Sequence, residues 1–210
     1  MIGDRNKIRL PTAALAGLAA LACVALAPSA QSQSEPAPSY DPTTGNLLTP
    51  TGFETWVFVG SNLGLDYKHD LPVTNARENA HAETQVFHNI YITPAAYAQF
   101  KATRKFPELT MLMMEIFVAA DKEPKGVLAS GVFNGERVGL QVAVKNSNRP
   151  GPHDKPWAYY IPLDLHDPTH TLHKSSPAFA DDVCESCHKE HASMDNVWVQ
   201  FYPTLRKLLQ

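Results

Sequence analysis

The order of apolar and polar positions along this chain changes character four times. Thr12 to Ala27 is an uncharged, Ala-rich apolar run, preceded by Arg5, Lys7 and Arg9 and followed by the small residues Ala27, Ser29 and Ala30. That three-part order predicts a secretory signal peptide over residues 1–30, cut near Ala30. The run is short for a membrane span of about 20 residues. A lipoprotein signal ending at Cys23 is the weaker alternative, because Ala20-Leu21-Ala22 makes a poor lipobox. Residues 31–50, "QSQSEPAPSYDPTTGNLLTP", are rich in Pro, Ser and Thr, and predict a loosely ordered, flexible leader. From residue 51 the pattern is that of a folded domain. "GFETWVFVGSNLG" enters the core as a short helix or strand. Residues 83–92, 109–119, 126–146 and 157–165 are rich in β-branched and aromatic side chains and read as strands. Asn134-Gly135 within the third of these signals a hairpin turn. Between the first two, "TPAAYAQFKATRKF" reads as a helix with Thr93 as N-cap and Pro94 in its first turn. The C-terminal part is helical, with Asp181 or Asp182 and then Asp195 as caps, and with a kink or restart at Pro203. The fold predicted over 51–210 is α+β: a predominantly antiparallel β-sheet with a few helices, the C-terminal one carrying "CESCH".

Composition narrows the class. Removing the signal segment leaves about 180 residues, enough for one domain with a real core. The formal net charge is −3, and loss of the leader's three basic and one acidic side chains makes it two units more negative. No basic cluster exists to bind nucleic acid. The exported chain keeps only Cys184 and Cys187, so no disulfide framework staples it. Their spacing has to serve another purpose.

In Cys184-Glu185-Ser186-Cys187-His188, residues i and i+3 share a helix face and i+4 lies one turn above i. Both thiols can therefore reach the edge of one porphyrin, and His188 can meet its iron from the proximal side. C-x-x-C-H is the mark of c-type haem attachment. A zinc site would need four ligands, with His173 or His191 completing it at unusual spacing. A thioredoxin-like pair would need a βαβ context, which the residues before Cys184 do not supply. The cofactor indicated is one covalent haem c.

The residues around this motif bring a family into view. "CESCHKEHASMDNVWVQFYPTL" resembles the haem-binding end of the cytochrome P-460 family. "VFHNIYITPAAYAQFKATRKFPELTMLMMEI", "VGLQVAVKNSNR" and "WAYY" resemble its other blocks in order, from about Gly52 to Leu208. The resemblance implies a β-rich, homodimeric periplasmic haem protein with His188 as proximal iron ligand and an open distal side. It implies small nitrogen species as substrate or ligand: oxidation of hydroxylamine, or, in the related β-type cytochromes c′, binding of nitric oxide. A periplasmic redox partner would accompany turnover.

Two positions depart from that pattern. The enzymatic branch carries a lysine, bonded to a porphyrin meso carbon, where this chain has Met114, followed by Glu115. Lys105 and Lys122 are expected to fall outside that strand. Met114 packs or contacts the haem. Alternation places Leu112, Met114 and Ile116 on one face and Met113, Glu115 and Phe117 on the other. Glu115 is edge-exposed, paired with an arginine, or a proton-handling distal group. The second departure is His88, where some members carry Arg. It is either a strand histidine bonded to a neighbour or a distal donor and proton carrier. The remaining histidines, in loop-like segments, read as solvated, and His191 as too distant to ligate. An electron-transfer cytochrome with a Met or His sixth ligand is the alternative function.

Overall fold

The computed structural model describes residues 36–65, 85–122, 127, 129–181 and 183–210. The signal segment, Cys23, His69, His81 and Asp182 lie outside the described residues. The described residues form seven strands and three α-helices in chain order. They are β1 Leu47–Leu48, β2 Val57–Leu63, β3 Val86–Ile92, α1 Pro94–Thr103, β4 Met111–Lys122, β5 Gly131–Lys145, β6 Trp157–Leu163, β7 Ser175–Ser176, α2 Glu185–His191 and α3 Pro203–Arg206. Strands β2 to β6 form one five-stranded antiparallel sheet in sequential order, and β1 pairs with β7. The α+β architecture read from the sequence is the observed one.

The sheet separates two cores, as strict alternation along its strands requires. On one face Ile90, Ile92 and Leu112 pack with Phe100 of α1 and with Val197, Val199 and Leu205 of the C-terminal segment. On the other, Met111, Met113, Val142 and Tyr160 pack with Leu47 and Trp56. Each fully buried side chain of this size contributes about 1.5–3 kcal/mol. Helix α1 starts as expected, with Thr93 at the N-cap and Pro94 in the first turn.

Several local expectations are corrected. Residues 40–50 are not a loose leader. Leu47 is fully buried, β1 pairs with β7, and Asp41 accepts backbone hydrogen bonds from Thr43 and Thr44. Asn134-Gly135 is not a hairpin turn: β5 runs straight through it, paired with β4, with the ladder shifting register between Ala119↔Asn134 and Phe117↔Arg137. A long cross-strand ladder outweighs a local turn signal, and the glycine is absorbed in the irregularity. Lys122 is the last residue of β4, eight positions from Met114, or roughly 26 Å along an extended strand. The C-terminal stretch is a series of short pieces. A 3₁₀ turn at Val199–Phe201 precedes α3, which restarts at Pro203. Gly60 makes this possible: a Cβ there would stand 3.0 Å from Pro203 Cδ and 3.1 Å from Tyr202 Cα. The segment bearing Phe201 and Tyr202 therefore lies directly on β2.

Candidate functional site

Cys184 is the N-cap of α2, with no side-chain cap, and the backbone N–H of His188 donates to its carbonyl at 3.1 Å. Asp181, read as a cap, instead accepts from the buried Arg149 at 3.4 Å. One helical turn thus holds Cys184, Cys187 and His188, and all three line a single cavity. Burial, and then the neighbouring Cys187, push the Cys184 thiol up to about 11. Burial and then Glu190 raise that of Cys187. Thiols held protonated are poor nucleophiles, which opposes a thiol–disulfide exchange role. Among the described residues no three His, Cys, Asp or Glu side chains gather as a metal cage, so the zinc reading finds no ligand set.

His188 is held from behind by a turn. Met194 and Val197 form a bridge, with Val197 N–H donating to Met194 carbonyl at 2.8 Å. Asp195 and Asn196 between them have φ of 46° and 61°, the two consecutive left-handed residues of a type I′ turn. Asp and Asn tolerate that region better than other non-glycine residues. The turn presents the Asn196 carbonyl to His188, whose Nδ1–H donates to it at 2.8 Å. The Asn196 amide donates to the buried Glu185 of α2 at 2.9 Å. Asp195 ties the turn to the sheet, accepting from Lys145 Nζ at 2.8 Å and from Trp157 Nε1–H at 3.2 Å. Its sequence-based role as a helix cap is replaced by this one. With Nδ1 protonated, Nε2 of His188 carries the lone pair, and the Trp198 indole N–H donates to it at 3.3 Å. Burial lowers the pKa of His188, against the opposing effects of the Asn196 carbonyl and Glu185, and favours the neutral ring. The imidazole packs 4.4 Å, centroid to centroid, from the Tyr159 ring.

The cavity measures about 520 Å³, within the range of cofactor sites. It lies over the sheet face that carries His88, Ile90, Leu112, Met114, Ile116 and Tyr159. Gly139 opposes Ile116, and a Cβ there would come within 2.8 Å of Ile116 Cδ1. Among the described residues, no lysine lines the cavity. Met114 stands on the cavity face as alternation predicted. His88 also lines the cavity, its Nδ1 bonded to Asn62 Oδ1 at 3.0 Å. Glu115 does not belong to the site. It points to the opposite face, where its carboxylate accepts from Arg137 at 3.0 Å and raises the pKa of Tyr91 after burial. The placement follows from its odd position in β4, and of the three roles considered for it the arginine pair is the one found. His191 is exposed, 3.9 Å from Glu190, and His153, His170 and His173 do not line the cavity.

Several polar lining residues escaped the sequence reading, among them Asn62, Gln141 and Asp164, and His166, read as solvated, lines the cavity too. Gln141 opposes Met114 in register, so its placement follows from β4 once the β4–β5 pairing is known. His166 sits in the connection after β6, beside Asp164, whose carboxylate accepts its backbone N–H at 2.9 Å. No local signal distinguishes it from the other loop histidines.

The donor set and the cavity suit a haem. Two cysteines and a neutral histidine stand on one wall, the histidine's second nitrogen is bound to a carbonyl as metal-ligating imidazoles usually are, and the facing strands are largely apolar, with Asn62, His88 and Gln141 the polar exceptions. No curated protein compared with the chain matches it. A family model described as cytochrome P-460 matches residues 50–199. Spanning most of the chain and including Cys184, Cys187 and His188, that match places this chain in the cytochrome P-460 family of haem-bearing cytochromes.

Proposed function

We propose that the chain carries one haem, bound covalently at Cys184 and Cys187 with His188 as axial ligand. We further propose that it works in the periplasm, as a homodimer, on small nitrogen species, by oxidising hydroxylamine or binding nitric oxide. The observation that carries this reading is the convergence of Cys184, Cys187 and His188 on one cavity whose other wall is the apolar strand face. When bound, the haem supplies an iron centre that holds a small ligand and exchanges electrons with it. The protein's own residues do the rest. The Asn196 carbonyl fixes the His188 tautomer and raises the ring's basicity toward a metal. Ile90, Leu112 and Ile116 exclude water. His88, in the same cavity, is a group able to hold or pass a proton. Met114, in place of an amine, leaves the macrocycle without a cross-link at that strand, which favours ligand binding over rapid turnover. The basic and apolar leader motivates the periplasmic assignment.

A second reading, electron transfer, draws on the presence of both Met114 and His88 in the cavity, since either could serve as a sixth ligand. Absorption spectra of the ferric and ferrous protein, with stopped-flow mixing against hydroxylamine, decide between them. Five-coordinate high-spin iron supports the first reading. A six-coordinate low-spin spectrum in both oxidation states overturns it in favour of the second.

A further inference from the structure

We propose that Glu185, between the two cysteines of the C-x-x-C-H motif, is a positioning residue that lowers the reduction potential of the bound haem. It does so by holding Asn196, so that the Asn196 carbonyl stays aimed at His188. The inference rests on the proposed haem function of this cavity and assigns a residue that sets its redox balance.

The motif's chemistry is carried by Cys184, Cys187 and His188 and asks nothing of position 185. Yet Glu185 is only 5% exposed, and a carboxylate is rarely buried unless its oxygens are engaged. Its Oε1 accepts from Asn196 Nδ2–H at 2.9 Å. The carbonyl of the same Asn196 accepts from His188 Nδ1–H at 2.8 Å. Glu185 and His188 stand three residues apart on α2, hence on one side of the helix. Between them they grip Asn196 by its side chain and by its main chain. That grip matters because the left-handed φ of 61° at Asn196 is not one a side-chain-bearing residue adopts by preference. The bonds of Asp195 to Lys145 and Trp157 tie the turn to the sheet, whereas the Glu185 bond ties it to the helix that bears the iron ligand. When Nδ1–H donates to a well-aimed carbonyl, the imidazole is more basic at Nε2 and favours ferric over ferrous iron. A buried carboxylate charge acts in the same direction, because the ferric haem carries one more positive charge. Removing Glu185 therefore moves both effects toward the ferrous state.

The test uses the processed, haem-bearing protein and two readouts, the reduction potential by spectroelectrochemistry and the ferrous iron–histidine stretch by resonance Raman spectroscopy. Glu185→Ala is expected to shift the equilibrium toward ferrous iron about 3- to 10-fold, a potential about 30–60 mV higher, and to lower the stretching frequency. Asn196→Gly keeps the carbonyl and suits the left-handed backbone but deletes the amide, so it should lower the stretch as Glu185→Ala does. The double variant should lower it no further than either alone, because Glu185 acts through Asn196. Glu185→Gln keeps an oxygen for the Asn196 amide and loses the charge, so its stretch should stay near that of the wild type while its potential rises by less than in Glu185→Ala. A merely structural role would lower thermal stability in these variants and move neither readout. Where Glu185→Ala fails to take up haem, Glu185→Gln and Asn196→Gly carry the test. An unmoved stretch in Asn196→Gly, an unmoved potential in both Glu185 variants, or additive shifts in the double variant overturn the inference while leaving the haem reading intact. Wild-type protein purified without haem overturns both.

Discussion

Asp195 offers a direct measure of how firmly the histidine-bearing end is tied to the sheet. Replacing it with alanine removes the acceptor of two bonds, from Lys145 Nζ and from Trp157 Nε1–H. The two are not equal. The Lys145 pair is partly solvated, with side chains 18% and 35% exposed, so its loss costs at most about 1 kcal/mol. Trp157 is 1% exposed, and its indole N–H would be left without an acceptor, at about 1–3 kcal/mol. Alanine also fits the left-handed φ of 46° less well than aspartate, which adds a further fraction of about 1 kcal/mol. The sum is roughly 2–4 kcal/mol, or a fall in Tm of roughly 5–12 °C for a chain of this size. Asp195→Asn keeps an oxygen for Trp157 and a residue suited to the turn, and loses only the charge. It should fall by no more than about 2–4 °C. Thermal unfolding followed by far-UV circular dichroism, on haem-bearing protein, reads both values. If the alanine and asparagine variants melt together, or the alanine variant falls by less than about 3 °C, the turn is not anchored through Trp157 and the reasoning fails.

Three further outcomes follow from the site. Acid–acetone treatment should leave the haem on the wild-type polypeptide, and Cys184→Ala with Cys187→Ala should abolish retention; haem extracting freely from the wild type would contradict covalent attachment. His188→Ala should remove the native ferric and ferrous spectra, whereas His191→Ala, on an exposed ring outside the cavity, should leave them unchanged; absorption spectra of the two variants check this. Because no lysine lines the cavity among the described residues, the reduced protein should show an ordinary c-type Soret band and a denatured mass equal to chain plus unmodified haem. A strongly red-shifted ferrous Soret band would mean that another side chain is bonded to the macrocycle.

What could be read from the sequence, and what could not, divides by the range of the interactions involved. Cys184, Cys187 and His188 are placed by a single helical turn, so their spacing alone carries their geometry. Leu112, Met114 and Ile116 share a face because β4 alternates, and the same rule moves Glu115 away from the cavity. Asn134-Gly135 failed for the opposite reason: its local preference was overruled by a ladder running the length of β4 and β5. The Asp195-Asn196 pair did carry a local signal, since both residues favour turns and left-handed backbone, but the apolar residues after it suggested a helix to be capped.

The same division runs through the candidate site. The side that would hold a haem comes from residues 184–198, contiguous in the chain, and nearly all of it is a matter of spacing. The side that would meet a ligand comes from β2, β3, β5 and the connection after β6. There Asn62 faces His88 only because β2 and β3 pair in that register. A one-residue slip of β2 would turn Asn62 to the other face and leave His88 without its Nδ1 acceptor. The meeting of Asn62 and His88 in this chain is thus a property of strand register, whereas the C-x-x-C-H motif is set by spacing within one helical turn.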